Sequence, residues 1–408
     1  MASFTYTVLF RIILVLLSLS DSALYHVQSL SYGINYGQIA NNLPSTSRVA
    51  VLLQSLNVSR VKLYDADPKV LQAFSNSEVD FIIGLGNEFL PNMTDPLKAQ
   101  NWIQQHVTPH LPQTKISFIL VGNEVLGGND TKLMSYLLTA MQSVYAALVN
   151  LGLSKTVTVV TAHSLNIMGS SYPPSAGTFR EDLAQYIQPL LKFHSQINAP
   201  FLVNAYPYFA YKDSPNEVPI EYVLFQPNSG MNDSGTNLHY DNMLDAQIDA
   251  VYAAMKVMGH TDIEVRISET GWPSKGDENE AGATPENAGI YNGNLLKKIA
   301  EKKGTPARPD VPIDTYIFAL FNENLKPGPA SERNYGLFYP DGTPVYNIGV
   351  DSYLPTLIFS SAAHDVNCTY YYGNRSSHTF VKFWEGGRLE QHEEFLEIFR
   401  EGRRNSDE

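Results

Sequence analysis

The feature that most constrains the fold is a regular alternation of short β-rich runs with stretches of helical periodicity. Eight such runs can be counted, at residues 32–36, 60–64, 80–84, 117–122, 156–161, 201–205, 264–268 and 315–321. This alternation is typical of repeated βα units whose strands form a parallel sheet. The 315 residues from Tyr32 to Tyr346 give about 39 residues per unit, which is within the range of an eight-stranded barrel. We therefore predict an α/β fold, a (β/α)8 TIM barrel with a C-terminal extension.

Two of the intervening segments show the apolar spacing of a helix. In the first, apolar residues recur every three or four positions, at Leu133, Leu137, Met141, Val144 and Leu148. In the second they recur at Leu244, Ile248, Val251 and Met255. We expect this second helix to have Asp241 as its N-cap and to end before Gly259.

The alternative to a barrel is a doubly wound open sheet with a nucleotide site. Such a fold requires a glycine-rich turn after an early strand. Gly84 and Gly86 follow a β-rich run, but position 89 is Phe89, so the G-x-G-x-x-G pattern fails. No Walker sequence occurs either.

Composition excludes several classes of protein. The chain is 44% hydrophobic and only 17% charged, as in a folded globular protein. Its net charge of −13 repels phosphate backbones, so we expect no nucleic acid partner. Cys368 is the single cysteine, which excludes an internal disulfide framework and a thiolate zinc cluster.

The N-terminal segment, residues 1–31, is predicted to be a secretory signal peptide. Arg11 precedes an apolar run at 12–19 that is too short to span a bilayer stably. Small-x-small cleavage sites occur at 20–22 and 29–31, and an uncleaved anchor is the alternative. Secretion to the extracellular space or cell wall is also indicated by glycosylation acceptors at Asn57, Asn92, Asn129, Asn232, Asn367 and Asn374.

The rest of the chain divides into a predicted catalytic barrel at 32–346 and a C-terminal extension of unknown function at 347–408. Within the barrel, residues 212–238 are rich in Pro, Asn, Ser and Gly and predict a long loop or small subdomain after the sixth strand. No later segment reaches 18 consecutive apolar residues and the C-terminus is charged, so we expect no membrane anchor.

Two glutamates lie at predicted strand ends, where active sites of such barrels are built. The fourth run leads through Asn123 to Glu124, and the seventh leads to Glu269. A closed barrel brings strand ends that are far apart in sequence around one cleft. Glycoside hydrolysis requires such a pair, with one carboxylic acid to protonate the leaving oxygen and one carboxylate to attack the anomeric carbon. The alternative is that both are ordinary solvated loop residues.

Six strings in order resemble the plant glucan endo-1,3-β-glucosidases of glycoside hydrolase family 17. They are GINYG at 33–37, VKLYD at 61–65, VGNEV at 121–125, NAYPY at 204–208, SETGWPS at 268–274 and FNEN at 321–324. The resemblance implies a (β/α)8 barrel and retaining endo-hydrolysis of internal (1→3)-β-glucosidic bonds. It also implies that Glu124 is the general acid/base and Glu269 the nucleophile, with no metal and no cofactor.

Further residues are assigned supporting and binding roles. Glu323, Lys326 and Glu332 resemble a family cluster, and we expect its cation to help keep Glu269 ionised. Aromatic rings at strand ends can stack on glucose, and asparagines can bind sugar hydroxyls. We therefore expect substrate binding by Tyr36, Tyr64, Asn123, Asn204, Tyr206 and Trp272.

The expected partner is a β-glucan polysaccharide such as callose or fungal wall glucan, bound by a monomer that acts in defence or wall remodelling. Two other functions stay open. One is a β-glucan-binding protein without catalysis, and the other is a hydrolase of mixed (1→3;1→4)-β-glucan. The ten histidines show no HExxH spacing, and His163 is expected to be a hydrogen-bonded structural residue.

Overall fold

A computed structural model describes residues 32–347 of the chain. The predicted signal peptide and all but the first residue of the predicted C-terminal extension lie outside these described residues. Between residues 32 and 347, no helix has the length and apolar character needed to cross a bilayer.

Eight strands form a closed parallel barrel, in which the last strand pairs with the first. The twelve strands in chain order are β1 (Gly33–Tyr36), β2 (Arg60–Leu63), β3 (Asp80–Leu85), β4 (Lys115–Asn123), β5 (Thr158–Ser164), β6 (Met168–Ser170), β7 (Thr178–Phe179), β8 (Phe201–Asn204), β9 (Met231–Asp233), β10 (Leu238–Tyr240), β11 (Val265–Thr270) and β12 (Thr315–Ile317). Strands β6 with β7 and β9 with β10 form two small antiparallel pairs, and the other eight form the barrel. The predicted (β/α)8 architecture is therefore confirmed.

Each predicted run coincides with a barrel strand, but the last strand is shorter than expected. Regular pairing of β12 ends at Ile317, whereas the β-rich run continues to Phe321. Beyond β12 the backbone forms single contacts with several partners, including a hydrogen bond from Leu320 N to Asn35 O (2.9 Å) and a bridge between Phe321 and Phe338.

Helices lie between the strands. They are α1 (Thr46–Ser55), α2 (Pro68–Ala73), α3 (Leu90–Met93), α4 (Pro96–His106), α5 (Thr131–Asn150), α6 (Ala184–Ile197), α7 (Pro207–Asp213), α8 (Ile220–Val223), α9 (Met243–Val257) and α10 (Pro285–Ala300). The two helices predicted from apolar spacing are α5 and α9, and each buries the predicted face. The N-cap of α9 is Asn242 rather than the expected Asp241, because the Asn242 side chain accepts the hydrogen bond from Asp245 N (2.9 Å).

Two hydrophobic clusters support the barrel. The larger one packs the outer faces of the strands against the helices. The smaller one contains inward side chains from neighbouring strands, among them Ile82, Leu120, Val160, Leu202 and Tyr316. Burial on both faces explains why the strands appear as nearly continuous apolar runs.

The predicted insertion after the sixth barrel strand is a small folded unit. Helices α7 and α8 and the β9–β10 hairpin occupy this region, which follows β8. Its first residues extend from the same edge of the barrel at which β4, β8 and β11 end. Three polar residues meet at this edge: Asn123 ends β4, Asn204 ends β8, and Glu269 is the penultimate residue of β11.

Candidate active site

Glu269 is held inside the barrel mouth by its strand and by a lysine. Its backbone pairs with Asn204 of β8, and its carbonyl oxygen accepts a hydrogen bond from Ala205 N (2.9 Å). The residue is only 5% exposed. Lys62 Nζ lies 2.7 Å from Glu269 Oε1, and the Tyr206 hydroxyl donates to Oε2 at 2.8 Å.

These contacts decide the ionisation of Glu269. Burial acts to raise the pKa of the carboxyl, but it is outweighed by the charge and hydrogen bond of Lys62 together with hydrogen bonds from Tyr64 and Tyr206. The pKa of Glu269 is therefore lowered below its ordinary value. Lys62 is fully buried, so its ammonium group is shielded from water and acts at close range.

Glu124 follows β4 in a backbone conformation that few non-glycine residues adopt. Its φ of 56° lies in the left-handed region, and its N–H donates to Ala162 O (2.8 Å). The preceding residue, Asn123, is held at two points by the Asn87 amide, which accepts from Asn123 N (2.8 Å) and donates to Asn123 O (2.9 Å). A strained residue of this kind persists only where its surroundings fix it, and such residues cluster at functional sites.

The Asn204 amide contacts Glu124 and also Ser268, the residue before Glu269. Its Nδ2 donates to Glu124 Oε1 at 2.7 Å, and its Oδ1 accepts from Ser268 Oγ at 2.5 Å. Burial and the neighbouring charge of Glu269 raise the pKa of Glu124, and the hydrogen bond from Asn204 only partly opposes this shift. Two glutamates at one barrel mouth thus have pKa values displaced in opposite directions.

This displacement matches the chemistry of a glycosidase. The carboxyl with the raised pKa is suited to donate a proton, and the carboxylate with the lowered pKa is suited to attack. The structure therefore brings together the two glutamates that the sequence singled out at strand ends.

The predicted supporting cluster lies in the segment after β12. Glu323 is buried, and its Oε1 accepts from Ile39 N (2.8 Å). Burial raises the pKa of Glu323, against the charge of Lys326. Lys326 Nζ lies 3.4 Å from Glu332 and 4.4 Å from the centre of the Phe318 ring. The cation that contacts Glu269 is Lys62, whereas Lys326 contacts Glu332 and Phe318, so its expected effect on Glu269 stays a prediction.

The predicted sugar-binding aromatics fall into two groups. Tyr64 and Tyr206 are partly exposed beside Glu269, and the Tyr64 hydroxyl also lies 3.1 Å from Asn35 Oδ1. Tyr36 and Trp272 are buried instead. The Tyr36 ring packs edge-on against Phe321.

Trp272 is 0% exposed, so no face of its indole is open to stack on a sugar. It packs against Tyr208 and Tyr291, and its Nε1 donates to Gly282 O (2.8 Å). The structure gives Trp272 a packing role. For Tyr36 the same burial leaves no open ring face.

His163 also differs from the expectation. It is fully buried and stacks on Phe201 with ring centres 4.6 Å apart, but neither of its ring nitrogens has a hydrogen-bond partner among the described residues. Within residues 32–347, no group of three or more His, Cys, Asp or Glu side chains is arranged to hold a metal ion.

Sequence reasoning missed two residues that position the glutamates, Lys62 and Asn87. Lys62 carried a usable signal, because a lysine inside a short β-rich run at the centre of a barrel is rarely buried without a partner. Asn87 carried none, since its role depends on a contact with a strand 36 positions later in the chain.

Comparison with known proteins agrees with this geometry. The profile of glycosyl hydrolases family 17 matches residues 32–350. Glucan endo-1,3-beta-glucosidase 14 of Arabidopsis thaliana is 67% identical over 365 residues, which cover 89% of this chain and 92% of that protein. Glucan endo-1,3-beta-glucosidase 11 of the same plant is 58% identical, with 78% and 75% covered.

Among solved structures, CJP38, a beta-1,3-glucanase and allergen of Cryptomeria japonica pollen, is 40% identical. It superposes with a TM-score of 0.75 over 78% of this chain and 98% of its own length. Together with the paired glutamates at the barrel mouth, these matches show that the chain is a glycoside hydrolase that belongs to glycosyl hydrolases family 17.

Proposed function

We propose that this chain is a retaining endo-hydrolase of internal (1→3)-β-D-glucosidic bonds, acting on (1→3)-β-glucans such as callose or fungal wall glucan. The observation that carries the proposal is the pair Glu124 and Glu269 with oppositely shifted pKa values. The names of the relatives support the linkage, since two Arabidopsis proteins of 67% and 58% identity are described as glucan endo-1,3-beta-glucosidases.

In the first step of the proposed reaction, the Glu269 carboxylate attacks the anomeric carbon while Glu124 gives its proton to the departing glycosidic oxygen. The bond to the leaving sugar breaks and an ester between the glucan and Glu269 forms. In the second step, Glu124 takes a proton from water, which attacks the anomeric carbon and releases Glu269.

The charges at the site suit this change of role. Burial and the charge of ionised Glu269 raise the pKa of Glu124, which favours its protonated form for the first step. Formation of the ester removes that negative charge, so the pKa of Glu124 falls and its carboxylate becomes a base for the second step. Lys62 and Tyr206 hold the attacking carboxylate in place.

Substrate contacts are proposed for the partly exposed residues Tyr64, Asn123 and Tyr206. The amphipathic tyrosine rings suit a wet cleft that binds sugars. Asn204 is 2% exposed and already donates to Glu124, so we assign it to positioning the acid as well as to the rim of the sugar site.

Secretion also belongs to the proposal. The family match begins at residue 32, directly after the small-x-small site at 29–31, which supports cleavage there. Asn57, Asn92, Asn129 and Asn232 are exposed, as glycan acceptors must be, while Asn367 and Asn374 lie outside the described residues. We propose a monomeric, extracellular or cell-wall enzyme made of the 32–346 barrel and the 347–408 extension.

Proton NMR during digestion of a soluble (1→3)-β-glucan tests the reaction directly. Appearance of the β-anomer before mutarotation is the expected result, and the α-anomer first contradicts Glu269 as nucleophile. A parallel screen of mixed (1→3;1→4)-β-glucan separates the two linkages. Binding without any product favours the non-catalytic alternative.

Replacement of Glu269 by Gln tests the assigned nucleophile. We expect Glu269→Gln to lose at least about 1,000-fold in kcat, because an amide cannot form the covalent intermediate. The melting temperature serves as the control for folding. Retained hydrolysis in the folded variant contradicts the assignment.

A further inference from the structure

A groove outside the catalytic pair lies between two segments that leave the same edge of the barrel. One wall follows β11 and contains Ser274, Lys275 and Thr284, and the other follows β12 and contains Asn334 and Tyr339. The groove is open to solvent and has a volume of about 470 Å³. None of its lining residues contacts Glu124 or Glu269 through the hydrogen bonds that form the catalytic site.

Hydrogen bonds hold the two walls together. Ser274 donates to Asn334 O from both its backbone N (2.8 Å) and its Oγ (3.0 Å). The buried carboxylate of Glu280, from the first wall, accepts from Ser331 N of the second (3.0 Å). The groove is therefore built by specific contacts rather than by two independent loops.

The same wall presents an aromatic ring to solvent. Tyr339 is 44% exposed and lies at the start of a tight turn, in which Tyr339 N donates to Thr343 O (2.8 Å) and Gly342 N donates to Tyr339 O (2.9 Å). A fixed backbone lowers the entropic cost of holding the ring against a ligand.

The side chains around the groove indicate a neutral, hydroxyl-rich ligand. Exposed Lys275 and Glu286 contribute one positive and one negative charge, so the groove has no net charge for an ion. Glu286 in the first turn of α10 also repels anions from that helix end. The exposed aromatic side chain of Tyr339 next to the exposed charged groups of Lys275 and Glu286 is an arrangement that can bind a sugar ring on its apolar face and its hydroxyls.

We propose that this groove is an accessory carbohydrate-binding site that holds (1→3)-β-glucan outside the catalytic centre, with Tyr339 as its stacking platform. The identity of the polysaccharide rests on the proposed function. Its walls follow β11 and β12 at the barrel edge where Glu269 lies, so a polymer bound there would be held on the catalytic side of the barrel. Its effect is on retention of long or insoluble glucan rather than on bond cleavage.

The test compares Tyr339→Ala, Tyr339→Phe and wild-type full-length enzyme, with Tyr172→Ala as the matched control. Tyr172 is 73% exposed and does not line the groove. Two quantities are measured, the partition of enzyme onto insoluble linear (1→3)-β-glucan at 4 °C and kcat/KM on a soluble (1→3)-β-glucan pentasaccharide. We expect Tyr339→Ala to bind the insoluble polymer about 3- to 10-fold more weakly, with unchanged kcat/KM on the pentasaccharide. Tyr339→Phe and Tyr172→Ala should bind like the wild type.

Equal binding by Tyr339→Ala and the wild type would overturn the inference. So would a parallel loss of pentasaccharide hydrolysis, because Tyr339 would then belong to the catalytic cleft. Failure of the proposed function is a different result, in which the wild-type enzyme neither binds nor cleaves any (1→3)-β-glucan.

Discussion

The ammonium group of Lys62 is the part of the site whose removal has the most calculable effect. Lys62 is fully buried and 2.7 Å from Glu269 Oε1. An opposite charge at such a distance commonly lowers the pKa of a carboxyl by about 1–3 units. The variant Lys62→Met keeps a long, flexible side chain of similar volume but removes the charge. We therefore expect the pKa of Glu269 to rise by about 1–3 units in this variant.

The consequence appears in the pH dependence of kcat/KM. Glu269 must be ionised to attack, so its pKa sets the acid limb of the profile. That limb should move upward by the same 1–3 units, and the rate on its acid side should fall by about 10-fold for each unit. The alkaline limb, which reports Glu124, should move less. As the two limbs approach each other, the pH window for activity narrows.

Stability changes in a related way. At neutral pH, Lys62→Met leaves a buried carboxylate without its partner, which typically costs about 3–5 kcal/mol. In this variant we expect the pKa of Glu269 to be higher in the folded than in the unfolded chain. The loss of stability is then smallest at a pH below the pKa of the unfolded chain, and it grows as the pH rises through the pKa of the folded chain. Urea unfolding across pH measures this slope. The double variant Lys62→Met with Glu269→Gln, which has no buried charge at this pair, should lose the slope.

The control for charge is Lys62→Arg, which retains a cation. Its acid limb should stay near that of the wild type even if the rate falls because the larger group fits poorly. An acid limb that does not move in Lys62→Met would refute the argument, since it would mean that the tyrosine hydroxyls alone keep Glu269 ionised against the effect of burial.

Two further predictions concern packing and acid stability. A Cβ at Gly37 would clash with the Glu323 carboxylate. Gly37→Ala should therefore displace that carboxylate, destabilise the fold by about 1–3 kcal/mol in urea unfolding and lower kcat/KM. Unchanged stability would mean that the loop shifts freely. Burial lowers the pKa of His163 to about 3 and that of His194 to about 4. As the pH falls below about 6.5, these histidines therefore become protonated in the unfolded chain but stay neutral in the folded chain. The free energy of unfolding should therefore fall by up to about 1.4 kcal/mol per histidine per pH unit as pH drops from 6.5 towards 4, and His163→Leu should show a smaller slope; an unchanged slope would place the acid sensitivity elsewhere.

The barrel was predictable because its signal is repeated along the chain. Eight apolar runs separated by helical stretches leave few alternatives to a closed parallel sheet. Local boundaries carried less information. Asp241 and Asn242 are both good capping residues, and only the folded backbone decides that Asn242 accepts the hydrogen bond. The apolar run at 315–321 does not reveal that regular pairing stops at Ile317, because the residues beyond it stay buried.

The catalytic positions could also be predicted from the sequence, because the strand ends of a parallel barrel converge on one edge. The direction in which an individual side chain points could not be predicted in this way. Trp272 and Tyr206 both follow barrel strands, yet Trp272 turns away beneath a loop and Tyr206 points to Glu269. Aromatic character favours either environment, so only three-dimensional packing separates a sugar platform from a core residue.

The ionisation of Glu269 depends mainly on a residue that lies outside both catalytic segments. Burial acts to raise the pKa of both Glu124 and Glu269, so burial alone would favour two neutral acids and no nucleophile. Lys62 contacts Glu269 directly, and ionised Glu269 then raises the pKa of Glu124. One buried cation from β2 thereby ionises the nucleophile, while burial, together with the charge of that nucleophile, keeps the acid protonated. The residue at position 62 therefore has a large effect on the ionisation of Glu269, although its side chain takes no part in bond formation.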